Sequence, residues 1–106
     1  MRIIGGRLGG LRLNPPTNLP VRPTTDIAKE ALFNILQNRL DFDGLQCLDL
    51  FSGTGNISFE LASREVGHVD AIDLHFKWVQ YINDTAEKMK LGQIKARKAD
   101  VFKFIA

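Results

Sequence analysis

A chain of 106 residues with 14 basic and 12 acidic side chains has the length of one domain and a formal charge of +2. With 44% apolar and 25% charged residues it has a globular composition, which argues against wholesale disorder. It holds no apolar run of about eighteen residues, the length a membrane-spanning helix needs, and its single cysteine, Cys47, excludes an internal disulfide or a cysteine-based zinc cluster. The opening Met1-Arg2-Ile3-Ile4-Gly5-Gly6-Arg7 lacks the apolar core of a signal peptide, so a reducing, cytoplasmic setting is expected.

The charge is unevenly placed. Residues 1–25 carry Arg2, Arg7, Arg12 and Arg22 without a single acid, a balance of +4, and hold all 4 prolines. Residues 26–106 carry 10 basic and 12 acidic side chains, a balance of −2. The chain therefore reads as a basic, non-helical arm and connector over residues 1–25, ahead of a body over residues 26–106. A cationic arm points to a polyanion partner, with a merely solubilising hairpin as the plain alternative.

Ile3-Ile4 and Leu11-Arg12-Leu13 flank glycine pairs and predict a β-hairpin. Residues 14–23 form a proline-punctuated connector. Thr24, Thr25 and Asp26 offer N-cap oxygens, and Ala28, Leu32, Ile35 and Leu36 predict the apolar face of a helix over residues 26–40. Residues 45–51 are a short, mostly apolar run that predicts a buried strand. The turn Ser52-Gly53-Thr54-Gly55 leads into a helix over residues 57–64, with Ile57, Leu61 and Ala62 inward. A second strand is predicted over 68–73. Trp78, Val79, Ile82, Ala86 and Met89 mark a helix over 77–91, stopped by Gly92. A third strand over 94–99 and the start of a helix over 101–106 follow. The order β-α-β-α-β predicts a parallel, doubly wound α/β sheet. Cys47 and Trp78 read as core residues, and His68 and His75 lack the spacing of a metal site, so no metal is expected.

The segment Leu48-Asp49-Leu50-Phe51-Ser52-Gly53-Thr54-Gly55 places a glycine turn where a strand hands over to a helix. In an open parallel sheet the ligand crevice lies at such carboxyl ends. Asp49 near the mouth of the turn would repel a pyrophosphate and attract an ammonium. The position three residues after Gly55 is Ser58, where a dinucleotide site usually has glycine or alanine. Both features favour S-adenosyl-L-methionine (AdoMet) over a dinucleotide. Asp73, at the end of the second strand, suits the two ribose hydroxyls. Asp100, beside Val101, suits either an adenine amino group or a helix N-cap. Phe51 is placed to touch a cofactor or to pack.

Leu-Asp-Leu-Phe-Ser-Gly-Thr-Gly resembles the AdoMet-binding motif of class I methyltransferases. Arg22-Pro23-Thr24-Thr25-Asp26, followed by Glu30-Ala31-Leu32-Phe33-Asn34-Ile35-Leu36, resembles one branch of them, the bacterial 16S rRNA guanine-N2 methyltransferases. The opening Arg2-Ile3-Ile4-Gly5-Gly6 is similar to that branch too. The resemblance implies a Rossmann-like class I methyltransferase fold, with Asp49, Phe51, Gly53, Gly55, Asp73, Asp100 and Val101 around AdoMet. It also implies that Arg2, Arg7, Arg12, Arg22 and Thr24 contact ribosomal RNA or the small ribosomal subunit. The family's catalytic Asp-Pro-Pro-aromatic string does not occur, the last proline being Pro23. The catalytic residues are therefore unknown. The chain is expected to be the N-terminal, cofactor-binding half of the domain, inactive alone, with a central strand left open to association. Two other readings remain, an NAD-dependent oxidoreductase fragment and a noncatalytic RNA-binding module.

Overall fold

A computed structural model describes residues 1–16 and 25–105. The elements run α1 (Asp26–Gln37), β1 (Gln46–Leu50), α2 (Asn56–Ser63), β2 (His68–Asp73), α3 (Phe76–Lys88), β3 (Ile94–Lys98) and α4 (Val101–Phe104). The three strands form one parallel sheet in the order β1-β2-β3. The α/β fold and its parallel order agree with the sequence pattern.

Register explains which residues make the core. Cys47 pairs with Val69 and Val69 with Ile94, while Asp49 pairs with Ala71 and Ala71 with Ala96. Because side chains alternate along a strand, these residues share one face. Val69, Ala71, Ile94 and Ala96 are buried there with Phe59 and Ala62 of α2 and Val79, Ile82 and Ala86 of α3. The opposite face carries Leu48, half exposed, together with His68, Asp70, Lys95 and Arg97. Trp78 is 1% exposed and meets Tyr81 edge-on, so its role is packing. Burial pushes the Cys47 thiol up, which keeps it protonated and unreactive.

Several boundaries and one face differ from expectation. The hairpin is only a single antiparallel bridge, Arg2 to Arg12, supported by backbone bonds from Ile3 to Leu11 and from Leu13 to Met1. Helix α1 starts as expected, with Thr25 Oγ1 accepting from the Ala28 N–H at 3.1 Å. Its buried residues are Lys29 and Phe33, whereas Ala28, Leu32 and Ile35 are exposed. Of the expected face only Leu36 packs against the core, because the helix turns toward Lys29, a charged residue that pattern reading places in water. At the end of α3 it is Lys90, at φ 56, and not Gly92, that takes the left-handed position.

The buried charge has a partner. Glu60 on α2 is fully buried, and its Oε1 lies 3.2 Å from Lys29 Nζ. The same carboxylate accepts from the Ile4 N–H at 2.8 Å and the Gly5 N–H at 2.9 Å, and Arg64 Nε donates to it at 2.9 Å. Arg64 lies 4.8 Å from the Phe33 ring centre, over its face. One turn on, Ser63 fixes the arm again. Its carbonyl accepts from Arg7 N–H, its hydroxyl accepts from Leu8 N–H, and that hydroxyl donates to Gly5 carbonyl. Gly6 sits at φ +74 with its missing Cβ 2.1 Å from the Ser63 carbonyl oxygen, so only glycine fits this approach.

Burial alone would raise the Glu60 carboxyl, but the Ile4 and Gly5 N–H groups, Arg64 and Lys29 outweigh it and hold it below the usual carboxylate range. A depressed carboxylate contributes stability that is present above its unfolded value of about 4.3. That contribution is lost as pH falls through the lower folded value. Glu60→Gln should destabilise the protein by about 3–5 kcal/mol at neutral pH, since Lys29 keeps its buried charge without a counterion. Urea unfolding across pH should show the low-pH loss shrinking in the variant. An unchanged midpoint and pH dependence would refute the assignment.

Candidate functional site

The site is built where β1, β2 and β3 end. Beyond Leu50, Phe51 adopts φ 58, an uncommon conformation for a bulky side chain. Ser52 N–H donates to the Ile72 carbonyl at 2.9 Å and extends the ladder by one bond. Gly53 at φ 52 and Gly55 at φ 80 turn the chain into α2, and Gly55 N–H donates to the Ser52 carbonyl at 2.8 Å.

Asp73 holds this turn from the neighbouring strand. Its Oδ2 accepts from Gly53 N–H at 2.9 Å and its Oδ1 from His75 N–H at 2.8 Å. An ionised carboxylate offers about four acceptor positions, so Asp73 keeps capacity for further donors. Asp100 caps α4, its Oδ1 accepting from Phe102 N–H at 2.9 Å and Lys103 N–H at 3.3 Å. Phe102 is exposed and meets Phe51 edge-on at 6.1 Å between ring centres. Val101 is buried, so its side chain is withdrawn from the surface. The candidate cofactor residues Asp49, Phe51, Gly53, Gly55, Asp73 and Asp100 thus gather at one end of the sheet.

Asp49 is chemically the most distinctive of them. Its side chain points to the helix-covered face, where Ser58 Oγ donates to Oδ2 at 2.6 Å. Burial raises its carboxyl above the ordinary value, the Ser58 hydroxyl and N–H oppose this, and the Asp73 charge adds a further upward push. Among the described residues no Lys, Arg or His forms an ion pair with it. Ser52 Oγ, on the same turn, is buried without a hydrogen-bond partner. A desolvated carboxylate lacking a cation and an orphaned hydroxyl fit a ligand that brings an ammonium and polar atoms. They do not fit a pyrophosphate.

The basic arm lies against α2, as the Glu60 and Ser63 bonds require. Arg7 and Arg12 are exposed, while Arg2 is half-buried with its Nε 3.9 Å from Asp26 Oδ2. Arg22 and Thr24 lie outside the described residues. Among the described residues no three His, Cys, Asp or Glu side chains form a metal-binding group, and no helix is long and apolar enough to cross a membrane. Sequence reading missed Lys29, Glu60, Ser63 and the orphaned Ser52. Only the Glu60–Arg64 pair, four apart on one helix, carried a local signal.

A parallel sheet with a glycine turn after its first strand and acids ending the first three is a Rossmann-like class I methyltransferase fold. A solved Escherichia coli chain described as a candidate methyltransferase superposes with TM-score 0.86 at 30% identity, over 100% of this chain and 56% of that one. A SAM-dependent methyltransferase from Aquifex aeolicus superposes with TM-score 0.56 at 26% identity, over 64% of this chain and 37% of that one. Within the fold, this chain belongs to the family described as Conserved hypothetical protein 95, which matches residues 1–106. It is 32% identical over 106 residues to ribosomal RNA small subunit methyltransferase D of Escherichia coli, covering 100% of this chain and 52% of that protein. To the Haemophilus influenzae protein of the same description it is 38% identical over 96 residues, covering 91% and 49%. The chain spans about half the length of the curated relatives it matches.

The turn's two glycines have different duties. A Cβ on Gly55 would stand 2.8 Å from Ile82 Cγ1 and 2.9 Å from Phe59 Cε2, so this glycine lets α2 pack against α3. Gly55→Val therefore attacks the core as well as the turn. It should lower folding stability by at least about 1–3 kcal/mol through overpacking, to which the strained φ adds. Thermal unfolding checks this. A melting temperature equal to that of the parent protein would show that the core accommodates the methyl groups.

Proposed function

We propose that this chain is the cofactor-binding part of an AdoMet-dependent methyltransferase acting on the exocyclic N2 amine of a guanine in 16S ribosomal RNA. Asp49 carries the reading, as a largely desolvated carboxylate beneath a glycine turn, with no cation paired to it among the described residues. AdoMet supplies an ammonium for that carboxylate and an electrophilic methyl group on a sulfonium. Asp49 and the orphaned Ser52 Oγ would hold the methionine end, Gly53 and Gly55 would admit it, and Asp73 would accept from the ribose hydroxyls. Asp100, Phe51 and the Val101 backbone would border the adenine. The relatives' description as small-subunit rRNA methyltransferases supports RNA as substrate.

The arm would supply phosphate contacts through Arg7 and Arg12, with Arg2, Arg22 and Thr24 contributing where the RNA reaches them. A guanine amine is a poor nucleophile, since its lone pair is delocalised into the ring. Its attack needs oriented acceptors for the developing positive charge. The Asp-Pro-Pro-aromatic string that the family resemblance assigns to this task does not occur in residues 1–106. On this reading residues 1–106 supply cofactor recognition and not the acceptors for the charge on the amine.

Asp49 gives the cofactor reading a pH signature. Cation binding needs the carboxylate, so AdoMet affinity should fall as pH drops through the raised Asp49 value. The fall should begin at higher pH than the ordinary value of about 3.9 would give. Calorimetric titration at several pH values should also show a proton released on binding near that value. Asp49→Asn should remove both effects. An affinity flat down to the ordinary aspartate range would take Asp49 out of the site.

The activity itself is tested by transfer of radiolabelled methyl groups to unmodified small-subunit RNA. The 106-residue chain should be silent beside a longer form carrying the Asp-Pro-Pro-aromatic string, since each such preorganised group is worth about 10²–10³ in rate. Guanine-N2 methylation by the 106-residue chain alone would falsify this division of labour. On the RNA side, replacing Arg7 and Arg12 by Ala should flatten the log–log salt slope of binding by about 1.4, at about 0.7 per single-strand contact.

A further inference from the structure

One ammonium group connects the arm to the turn. The Lys29 side chain is fully buried, and its Nζ donates to the Arg2 carbonyl, to Asn56 Oδ1 at 2.7 Å and to Glu60 Oε1 at 3.2 Å. An ammonium has three donors, and all three are engaged. The three acceptors lie on three parts of the molecule. Arg2 belongs to the arm, Asn56 is the first residue of α2 immediately after Gly55, and Glu60 lies one turn further along the same helix. Glu60 returns to the arm through Ile4 and Gly5. A closed loop of charge-assisted bonds therefore runs from arm to lysine to turn and back.

We propose that Lys29 is a positioning residue that couples the cofactor turn to the basic arm, so that a ligand ordering the turn also tightens the docking of the arm. The inference rests on the reading of the turn as an AdoMet site. Its two states are the arm docked and the arm released. Release strips two backbone donors from a fully buried carboxylate and one acceptor from a fully buried ammonium, so neither group is satisfied part-way. The transition is for that reason close to all-or-none. A ligand that fixes residues 52–56 fixes Asn56, and Asn56 fixes the lysine that the Arg2 carbonyl must meet. Coupling between sites is reciprocal, so an RNA that holds the arm docked also tightens the hold on AdoMet. A compact ammonium suits this role because it serves three acceptors in different directions from one atom.

The test is amide hydrogen exchange of Ile4 and Gly5 in the intact protein, with and without saturating AdoMet. Both amides donate to Glu60 and exchange only when the arm opens. AdoMet should slow them by about 5- to 150-fold, the usual range of coupling between sites. Lys29→Met should abolish the response. That variant leaves Glu60 with Arg64 but risks the fold, so Asn56→Ala is the sharper probe. It removes the Oδ1 acceptor that ties the lysine to the turn and keeps the Lys29–Glu60 pair. In Asn56→Ala the ratio of arm-amide exchange rates with and without AdoMet should fall to one while calorimetry shows AdoMet still bound. A purely structural lysine would instead leave the AdoMet response intact.

Three results overturn the inference. The first is a parent protein that binds AdoMet with no change at Ile4 and Gly5. The second is an equal response in Asn56→Ala. The third is a parent protein that does not bind AdoMet at all, which removes the reading of the turn together with the inference and is told apart by calorimetry on the same sample.

Discussion

The Glu60 carboxylate is the constraint on which the arrangement depends. Bringing a full negative charge out of water costs several kcal/mol unless every acceptor position is used. Here Ile4, Gly5, Arg64 and Lys29 occupy them. The partners come from three regions, Ile4 and Gly5 from the arm, Lys29 from α1 and Arg64 from the end of α2, so satisfying one side chain fixes the arm, α1 and α2 together. The arm has little else of its own. Its strands amount to one bridge, and Ile3 is its only fully buried apolar side chain among the described residues. An isolated hairpin of that kind is not stable in water, and the bonds to Glu60 and Ser63 replace the missing strand pairs.

Two carboxylates in one short stretch, Glu60 fully buried and Asp49 partly so, are held in opposite ways. Glu60 has four donors and two cations near it, and its carboxyl lies below the usual range. Asp49 has Ser58 alone for support, faces the charge of Asp73, and lies above that range. Ionised, Glu60 stabilises the fold. Asp49 works in the opposite direction, since a carboxyl raised by folding weakens stability as pH climbs through it. A protein with no use for Asp49 would do better with an apolar residue at that place. The strain at Phe51 and the orphaned Ser52 hydroxyl belong to the same turn. Such unrelieved features cluster where a ligand relieves them.

The sheet was legible in the sequence because its signals are local. An apolar run marked β1, and short segments following Gly67 and Gly92 marked β2 and β3, each to within one or two residues, while Trp78, Val79, Ile82 and Ala86 marked the buried side of α3. The clustering of the candidate site residues was legible for a related reason, since they sit at strand ends that chain order alone brings together. The buried face of α1 was not legible. Lys29 reads as a solvent residue until its counterion is known, and that counterion lies 31 positions away on another helix. The arrest of α3 by Lys90 was hidden similarly, because glycine is the usual left-handed residue and one stood two places further on. Connections that depend on long-range charge pairing leave no periodic trace.

Charge finally explains why arm and turn belong on one molecule. Asp49, Asp73 and Asp100 cluster at the strand ends, while Arg2, Arg7 and Arg12 lie on the arm. Three carboxylates at the mouth of a crevice repel an RNA backbone over roughly the 8 Å Debye length of physiological salt. On the proposed reading, a cationic cofactor seated among them would cancel much of that repulsion, and the acid-free arm would attract the same phosphates. On the proposed reading the polyanion is therefore bound more favourably once the cation is in place. Mutual strengthening of the two bindings follows from electrostatics alone, before any conformational change is invoked. The closed loop through Lys29 adds a mechanical link in the same direction. The two effects separate by ionic strength, because added salt screens the first and leaves the buried bonds of the second largely untouched.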